Sequence, residues 1–193
     1  MKEIVFATNN AHKLREAREI LGGGFIVHSL SDINCHDEIP ETAESLEGNA
    51  LIKARWIKER YGYDCFADDT GLMVDVLHGA PGVYSARFAG PECDAKANTA
   101  LLIEKMSGQS CRTARFTTVV ALILNGREQI FTGTVEGEIA EHPQGNAGFG
   151  YDPVFIPENR GCSFAEMSEE EKNSISHRGR ALRAMAEAIS AES

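Results

Sequence analysis

The stretch I-V-F-A-T-N-N-A-H-K-L-R-E-A-R-E-I-L-G-G-G, residues 4–24, decides the fold. Its first four residues are apolar and largely β-prone, which predicts a short strand. After a polar segment, Leu14, Ala17 and Leu21 recur at helical spacing, and three glycines then end the pattern. Strand, polar loop and helix in this order form the repeating unit of α/β proteins.

The middle of the chain repeats this alternation. Apolar residues at helical spacing within 46–57 predict a longer helix. The apolar run 65–67 predicts a strand, with a further β-prone run at 72–77. Between the two runs stand Asp68 and Asp69, which we therefore place at the end of the first strand.

The second half of the chain combines helices with a hairpin. A helix is predicted over 94–106, and two β-rich runs at 116–124 and 129–135 are joined through Asn125-Gly126, a strong hairpin signal. We expect these two strands to be antiparallel.

The last residues predict a helix, because Leu182, Met185 and Ile189 are spaced to lie on one helical face. Ser168 and Glu171, further upstream, have the spacing of a capping box. Early strand-helix units together with a later hairpin indicate an α/β fold with a mixed sheet.

Composition indicates one domain over residues 1–193, because the chain has a normal apolar content and no linker or repeat. The net charge of −10 argues against binding to a nucleic acid polymer, which requires clustered cations. The sequence shows no signal peptide and no apolar run of membrane-spanning length, so we expect a cytoplasmic protein with no membrane partner. The five cysteines form no CxxC pair and are interpreted as reduced thiols.

The first candidate site is the polar loop Thr8-Asn9-Asn10-Ala11-His12-Lys13 between the first strand and helix. Backbone amides at a helix start, with hydroxyl, amide and ammonium donors beside them, can surround a phosphate oxygen. An ordinary helix cap followed by a solvated lysine is the alternative.

The second candidate site is acidic. Asp68 and Asp69 follow an apolar strand, where adjacent charges are unfavourable unless a metal, hydrogen bonds or solvent compensates them. Glu38 and Glu41 precede the second predicted helix. Two carboxylates that converge from different segments would suit Mg²⁺, which also binds water and substrate phosphates.

The third candidate site joins a glycine-rich loop to residues near the last helix. In Gly148-Phe149-Gly150-Tyr151-Asp152-Pro153, the glycines permit close approach and the aromatic rings could flank a flat base; a tight turn packed by two rings is the alternative. Lys172 could face a phosphate, and His177 and Arg178 offer donors to the edge of a purine.

Taken together, these segments resemble the inosine triphosphate pyrophosphatase family. No single motif is specific for the family, but the joint occurrence of the motifs in this order is. The motifs are T-N-N-A-H-K at 8–13, E-T at 41–42, N-A-L-I-K-A-R at 49–55, A-D-D-T-G-L at 67–72, G-A-P-G-V-Y-S-A-R at 79–87, G-F-G-Y-D-P at 148–153 and S-H-R-G-R-A-L at 176–182.

The resemblance implies a two-lobed α/β fold around a long mixed sheet, with a nucleotide cleft between the lobes, in a homodimer. It also implies Mg²⁺-dependent hydrolysis of ITP, dITP and XTP between the α and β phosphates. The residues that match the family's site are Asp69 and Lys13 as catalytic groups, Glu41 and Asp69 as metal ligands, and Thr8, Asn9, Asn10, Lys13, Lys53, Thr70, Phe149, Gly150, Tyr151, Asp152, Lys172, His177 and Arg178 as substrate contacts.

Two departures and two rival functions accompany this resemblance. Pro40-Glu41 stands where related sequences often carry two acids, which leaves Glu38 as a second candidate ligand, and Thr70 replaces a common serine. A purine nucleotide sensor that does not hydrolyse its ligand is one rival, although it would not need a water-activating acid such as Asp69. A Maf-like nucleotide pyrophosphatase is the other, and the S-H-R element disfavours it.

Overall fold

The computed structural model describes residues 2–191, and the chain divides into two compact units. The first unit contains the chain up to Asp69, together with Thr118–Gly133 and the chain from His177 onward. The second unit contains Thr70–Thr117 and Thr134–Ser176.

The strands form one mixed sheet with the order β2-β1-β3-β5-β6-β7, and β4 pairs with β3 off this path. Strand β1 is parallel to β2 and β3, whereas β4 is antiparallel to β3 and β7 is antiparallel to β6. The strands are β1 (Lys2–Phe6), β2 (Phe25–His28), β3 (Cys65–Val74), β4 (Pro81–Gly82), β5 (Thr113–Leu124), β6 (Arg127–Ile139) and β7 (Phe155–Pro157).

The described residues contain five α-helices, and most begin at a residue whose side chain caps free backbone amides. None of these helices is long and apolar enough to cross a membrane. The helices are α1 (Ala11–Leu21), α2 (Leu46–Tyr61), α3 (Ala95–Lys105), α4 (Glu169–Ile175) and α5 (His177–Ala191).

The interior of the first unit consists of two apolar clusters built on β1 and β3. One cluster contains Phe6 and Phe66, whose rings stack with centroids 4.3 Å apart, and it is completed by residues of α1 and α5. The other cluster joins strand residues to Ala50, Ala54 and Ile57 of α2, which are fully buried. These contacts fix α1, α2 and α5 around the strand that carries Asp69.

The interior of the second unit is formed largely by aromatic side chains. The rings of Phe116 and Phe155 meet edge to face at 4.7 Å, and Phe164 lies 5.3 Å from Phe155. Tyr151 belongs to this cluster and is 5% exposed.

Most of the local predictions are confirmed. Helix α2 contains the predicted apolar strip, α3 begins directly after its cap Asp94, and Ser168 forms a capping box with Glu171. The predicted hairpin is β5 and β6, which are neighbours in the sheet, joined by Asn125-Gly126 with φ of 51° and 77°. A two-residue turn with both φ values positive suits the twist of an antiparallel pair.

The predicted position of the acidic pair is wrong. Asp68 and Asp69 lie within the ten-residue strand β3, and the chain remains extended through Val74. The strand can continue because both carboxylates are compensated by side chains of other elements, as described below. The prediction ended the strand too early because it used only the sequence around Asp68 and Asp69, and the compensating side chains are distant in sequence.

Candidate functional site

The loop between β1 and α1 is organised by its own polar side chains. Asn10 caps α1, and its Oδ1 accepts hydrogen bonds from the amides of His12 and Lys13 at 3.0 and 3.1 Å. The hydroxyl of Thr8 accepts a hydrogen bond from the amide of Asn10. A cavity of about 200 Å³ lies here, lined in part by Thr8, Asn9 and Asn10. The predicted phosphate loop is thus a capped helix start beside a polar cavity.

Lys13 extends from this helix start towards β3. Its ammonium lies 2.9 Å from Oδ1 of Asp68, and its side chain is 15% exposed. Burial lowers the pKa of Lys13, although the neighbouring Asp68 opposes this effect.

Asp68 is the centre of a chain of ion pairs in the first unit. Its Oδ2 accepts a hydrogen bond from Nε of Arg178 at 2.9 Å, and Nη1 of Arg178 donates to Glu16 of α1. Burial alone would raise the pKa of Asp68, but Lys13 and Arg178 lower it, and the net shift is downward. Asp68 is therefore held as an anion between two cations.

Asp69 is buried to 8% exposure, and its surroundings differ from those of Asp68. Its Oδ2 accepts a hydrogen bond from Nδ2 of Asn49 on α2 at 3.0 Å. Burial raises the pKa of Asp69, and the negative charge of Glu41 adds to this rise, while Lys53 and Lys13 oppose it. Glu41 is ion-paired with Lys53. The structure thus brings Asp69, Glu41, Lys53 and Lys13 within electrostatic reach of one another.

The donor set at Asp69 and Glu41 suits Mg²⁺, which prefers a few carboxylate oxygens supplemented by water and substrate phosphates. Within residues 2–191, no three His, Cys, Asp or Glu side chains are grouped to hold a metal ion. Two carboxylates are consistent with a site that substrate oxygens complete. Glu38 is exposed, which makes Glu41 the better candidate of the two.

The second unit contains the glycine-rich loop. Oδ2 of Asp152 accepts hydrogen bonds from the amide of Phe149 at 2.8 Å and from Nζ of Lys172 at 2.7 Å. The ammonium of Lys172 also lies 4.8 Å from the ring centroid of Phe149. A Cβ on Gly148 would lie 2.1 Å from Oδ2 of Asp152, so only glycine fits there. The structure therefore brings Phe149, Asp152 and Lys172 together.

Tyr151 and Gly150 have structural contacts inside the second unit. The hydroxyl of Tyr151 donates to the carbonyl of Ser85 at 2.7 Å, which places the ring in the core. The carbonyl of Gly150 lies 3.5 Å from the hydroxyl of Thr99. Phe149 is less buried than Tyr151, so it is the better placed of the two aromatic residues to flank a base.

His177 and Arg178 form the first turn of α5 and are almost completely buried, at 3% and 1% exposure. Nδ1 of His177 lies 2.7 Å from the hydroxyl of Thr118. Helix α5 approaches β6 closely, because a Cβ on Gly133 would lie 2.0 Å from the carbonyl oxygen of His177. The predicted base-reading pair is thus rigidly held, and Arg178 already binds two carboxylates.

Sequence reasoning missed the supporting residues of the site. Glu16 was not singled out, although it lies one helical turn after Lys13, and Asn49 was noticed only as part of a motif. Asp68 was recognised as unusual but received no function. Their partners are distant in sequence: Glu16 and Arg178 are separated by 162 positions, so local spacing carries no signal of the contact.

A larger cavity of about 520 Å³ lies in the second unit. Its lining includes Arg115, which is ion-paired with both Asp75 and Glu136, and contains none of the predicted site residues.

The structure is thus that of an α/β protein whose first unit contains a capped helix start, two lysines paired with carboxylates, and two buried strand carboxylates. Comparison with known proteins agrees with this class. The family model described as the Ham1 family matches residues 4–188, and the chain belongs to that family.

Individual relatives cover nearly the whole chain. A protein of Christiangramia forsetii named dITP/XTP pyrophosphatase is 52% identical over 188 residues, covering 97% of this chain and 99% of that protein. A Porphyromonas gingivalis protein of the same name is 53% identical and covers 94% of each chain. The solved Ham1 protein of Staphylococcus aureus is 35% identical, covers 100% of both chains and superposes with a TM-score of 0.89.

Proposed function

We propose that this chain hydrolyses non-standard purine nucleoside triphosphates, namely dITP, ITP and XTP, to the nucleoside monophosphate and pyrophosphate. The near full-length similarity to proteins named dITP/XTP pyrophosphatase supports the substrate class. The observation that carries the chemistry is the buried Asp69 carboxylate, which lies within electrostatic reach of Lys13, Lys53 and Glu41.

The triphosphate binds at the start of α1. The amides of the capped first turn and the side chains of Thr8, Asn9 and Asn10 donate to phosphate oxygens. Lys13 and Lys53 stabilise the negative charge that develops on the pyrophosphate leaving group. This arrangement suits cleavage between the α and β phosphates because the cations surround the group that departs.

Glu41 and Asp69 hold Mg²⁺ in this proposal. The ion, when bound, neutralises triphosphate oxygens and polarises the phosphorus that is attacked. Asp69 also contacts the attacking water, which it orients or deprotonates. Burial raises the pKa of Asp69, which strengthens the carboxylate as a base, and the charges of Lys53 and Lys13 oppose this rise.

The other proposed substrate contacts are Thr70, Phe149, Gly150, Tyr151, Asp152 and Lys172 of the second unit and His177 and Arg178 of the first. Phe149 supplies an apolar ring to flank the base, and Lys172 faces a phosphate. Hypoxanthine and xanthine carry an oxygen at position 6, which accepts a hydrogen bond, whereas adenine carries an amino donor there. In this proposal His177 and Arg178, although they are buried and Arg178 pairs with Asp68 and Glu16, also donate to this oxygen and so favour the 6-oxo purines.

The chain acts as one functional domain and as a homodimer in the cytoplasm. Pro81, Val83 and Tyr84 of the 79–87 motif are candidates for the dimer surface, and Tyr84 is 54% exposed. Light scattering across micromolar concentrations should give twice the chain mass of 21.0 kDa. A monomeric mass throughout would reject the dimer.

The reaction is tested by incubating the purified chain with ITP and Mg²⁺ while measuring pyrophosphate and orthophosphate separately. Pyrophosphate should form in equal amount to IMP. Asp69→Asn, which preserves volume but removes the charge, should lose most of this turnover while keeping its thermal unfolding transition. Orthophosphate as the primary product would reject the proposed bond cleavage, and a fully active Asp69→Asn variant would reject the assignment of Asp69.

A further inference from the structure

The buried side chain of Asn49 connects the Asp69 carboxylate to the backbone of the segment that carries Glu41. It lies in the first turn of α2 and is 1% exposed. Its Oδ1 accepts a hydrogen bond from the amide of Ala43 at 2.9 Å, and its Nδ2 donates to Oδ2 of Asp69 at 3.0 Å. Each end of the amide therefore has a different element as its partner.

The two hydrogen bonds fix the orientation of the amide. A carboxylate can only accept, so the NH₂ group of Asn49 must face Asp69, and a backbone amide can only donate, so the oxygen must face Ala43. Reversing the side chain would break both bonds. The side chain consequently has one favourable arrangement, and that arrangement aims a donor at the Asp69 carboxylate.

The segment that carries Glu41 is held on α2 at both ends. Asn49 anchors it at Ala43, and Asp37 anchors the other end by accepting hydrogen bonds from Nε1 of Trp56 at 2.9 Å and from the hydroxyl of Tyr61 at 3.2 Å. Trp56 and Tyr61 both belong to α2. Helix α2 is therefore the common support of Glu41 and, through Asn49, of Asp69.

We propose that Asn49 is a positioning residue that holds the Asp69 carboxylate and the Glu41 segment in one arrangement before metal and substrate bind. Asn49 touches neither the metal nor the nucleotide in this account and acts through Asp69 and Ala43. The inference rests on the proposed function, because it concerns how the same site is prepared. Catalytic groups need such support, since small displacements of reacting groups cost large factors in rate.

The second unit offers a matched control. Asn98 is likewise a buried asparagine near the start of a helix, 4% exposed. Its Oδ1 accepts from the amide of Ala89 at 2.7 Å, and its Nδ2 donates to the carbonyl of Ala86 at 2.7 Å. Asn98→Ala therefore removes the same number of hydrogen bonds from a helix-to-loop contact, but none of them involves a site carboxylate.

The experiment compares wild type, Asn49→Ala and Asn98→Ala in two measurements. The first is binding of Mn²⁺, an EPR-visible probe, in the presence of an ITP analogue that cannot be cleaved between the α and β phosphates. The second is kcat and KM for ITP at saturating Mg²⁺. Asn49→Ala should weaken Mn²⁺ binding and lower kcat, each by about 10- to 100-fold, which is typical for residues that orient metal ligands.

The KM of Asn49→Ala and all the measured values of Asn98→Ala should stay near those of the wild type. KM for ITP should change little in Asn49→Ala because the lysines and the capped loop still bind the phosphates. Asn98→Ala should retain the wild-type Mn²⁺ affinity and kcat even if its melting temperature falls.

A near-isosteric variant covers the case in which Asn49→Ala does not fold. Asn49→Asp retains an acceptor for the amide of Ala43 but replaces the donor to Asp69 by a like charge, so kcat should again fall. The positioning role would be overturned if the Asn49→Ala and Asn98→Ala variants had equal Mn²⁺ affinity and equal kcat, or if Asn49→Asp kept the wild-type kcat. Either result would leave the proposed function standing. A wild-type chain that releases no pyrophosphate from ITP would overturn the proposed function and this inference with it.

Discussion

Asp68 and Asp69 are adjacent on one strand, yet they have opposite electrostatic surroundings. Side chains alternate across a strand, so the two carboxylates point to opposite faces of β3. Lys13 and Arg178 lower the pKa of Asp68, whereas burial raises the pKa of Asp69 against the opposing hydrogen bond from Asn49. Two adjacent carboxylates thus have pKa values that their surroundings shift in opposite directions.

Arg178 should contribute strongly to stability. Arg178→Ala would leave Asp68 and Glu16 buried without this cation, and breaking a buried ion pair from one side costs about 3–5 kcal/mol. Urea unfolding gives the free energy directly. Arg15→Ala is the control, because Arg15 is exposed on α1 and its loss should change the free energy by no more than about 0.5 kcal/mol. Equal stability of the two variants would contradict the ion-pair account.

The stability contributed by Asp68 should depend on pH in a defined direction. Its pKa is lowered by folding, so this contribution is complete above the unfolded pKa of about 3.9 and is lost as the pH falls towards the folded value. The gap in unfolding free energy between wild type and Asp68→Asn should be constant from pH 7 to 5. Below about pH 4 it should narrow by about 1.4 kcal/mol per pH unit. Urea titrations from pH 7 to 3.5 measure this gap, and a gap that widens in acid would contradict the assignment.

A comparison of two helix starts can distinguish the effect of capping from the effect of substrate binding. Asn10 caps α1 and Asp94 caps α3, and each side chain accepts hydrogen bonds from two backbone amides. Replacing either with alanine should cost about 1 kcal/mol of stability. Only Asn10→Ala should also lower kcat/KM for ITP, because only α1 begins at the proposed phosphate loop. Chemical unfolding measures the stability of both variants, and steady-state kinetics measure kcat/KM for ITP. Unchanged kinetics in Asn10→Ala would show that this loop is an ordinary helix cap that does not bind substrate.

The elements themselves could be predicted from sequence because their signals are local. Apolar spacing identified α2, and Asn125-Gly126 identified the hairpin between β5 and β6. The extension of β3 through the acidic pair could not be predicted in this way. It depends on Lys13, 55 positions from Asp68, and on Arg178, 110 positions away.

Across the whole molecule, some site residues can be recognised from local motifs, whereas others depend on contacts between distant parts of the chain. The residues that we propose as substrate contacts could be predicted from sequence, because their types and motifs match the chemistry of phosphate, metal and purine. Residues that hold those groups, such as Glu16 and Asn49, act through contacts that only the folded chain creates. Membership of the Ham1 family agrees with the resemblance that the sequence motifs indicate.

The most direct measurement of the central claim is the ratio of kcat/KM for ITP to that for ATP, with Mg²⁺ and with pyrophosphate as the measured product. Donors that lose their acceptor reject the wrong base by a few kcal/mol, so the ratio should be on the order of a hundredfold or more in favour of ITP. GTP provides the stricter comparison, because guanine shares the 6-oxo group and differs from hypoxanthine by its 2-amino group. We expect kcat/KM for ITP to exceed the values for both ATP and GTP. Equal kcat/KM values for ITP, ATP and GTP would contradict it.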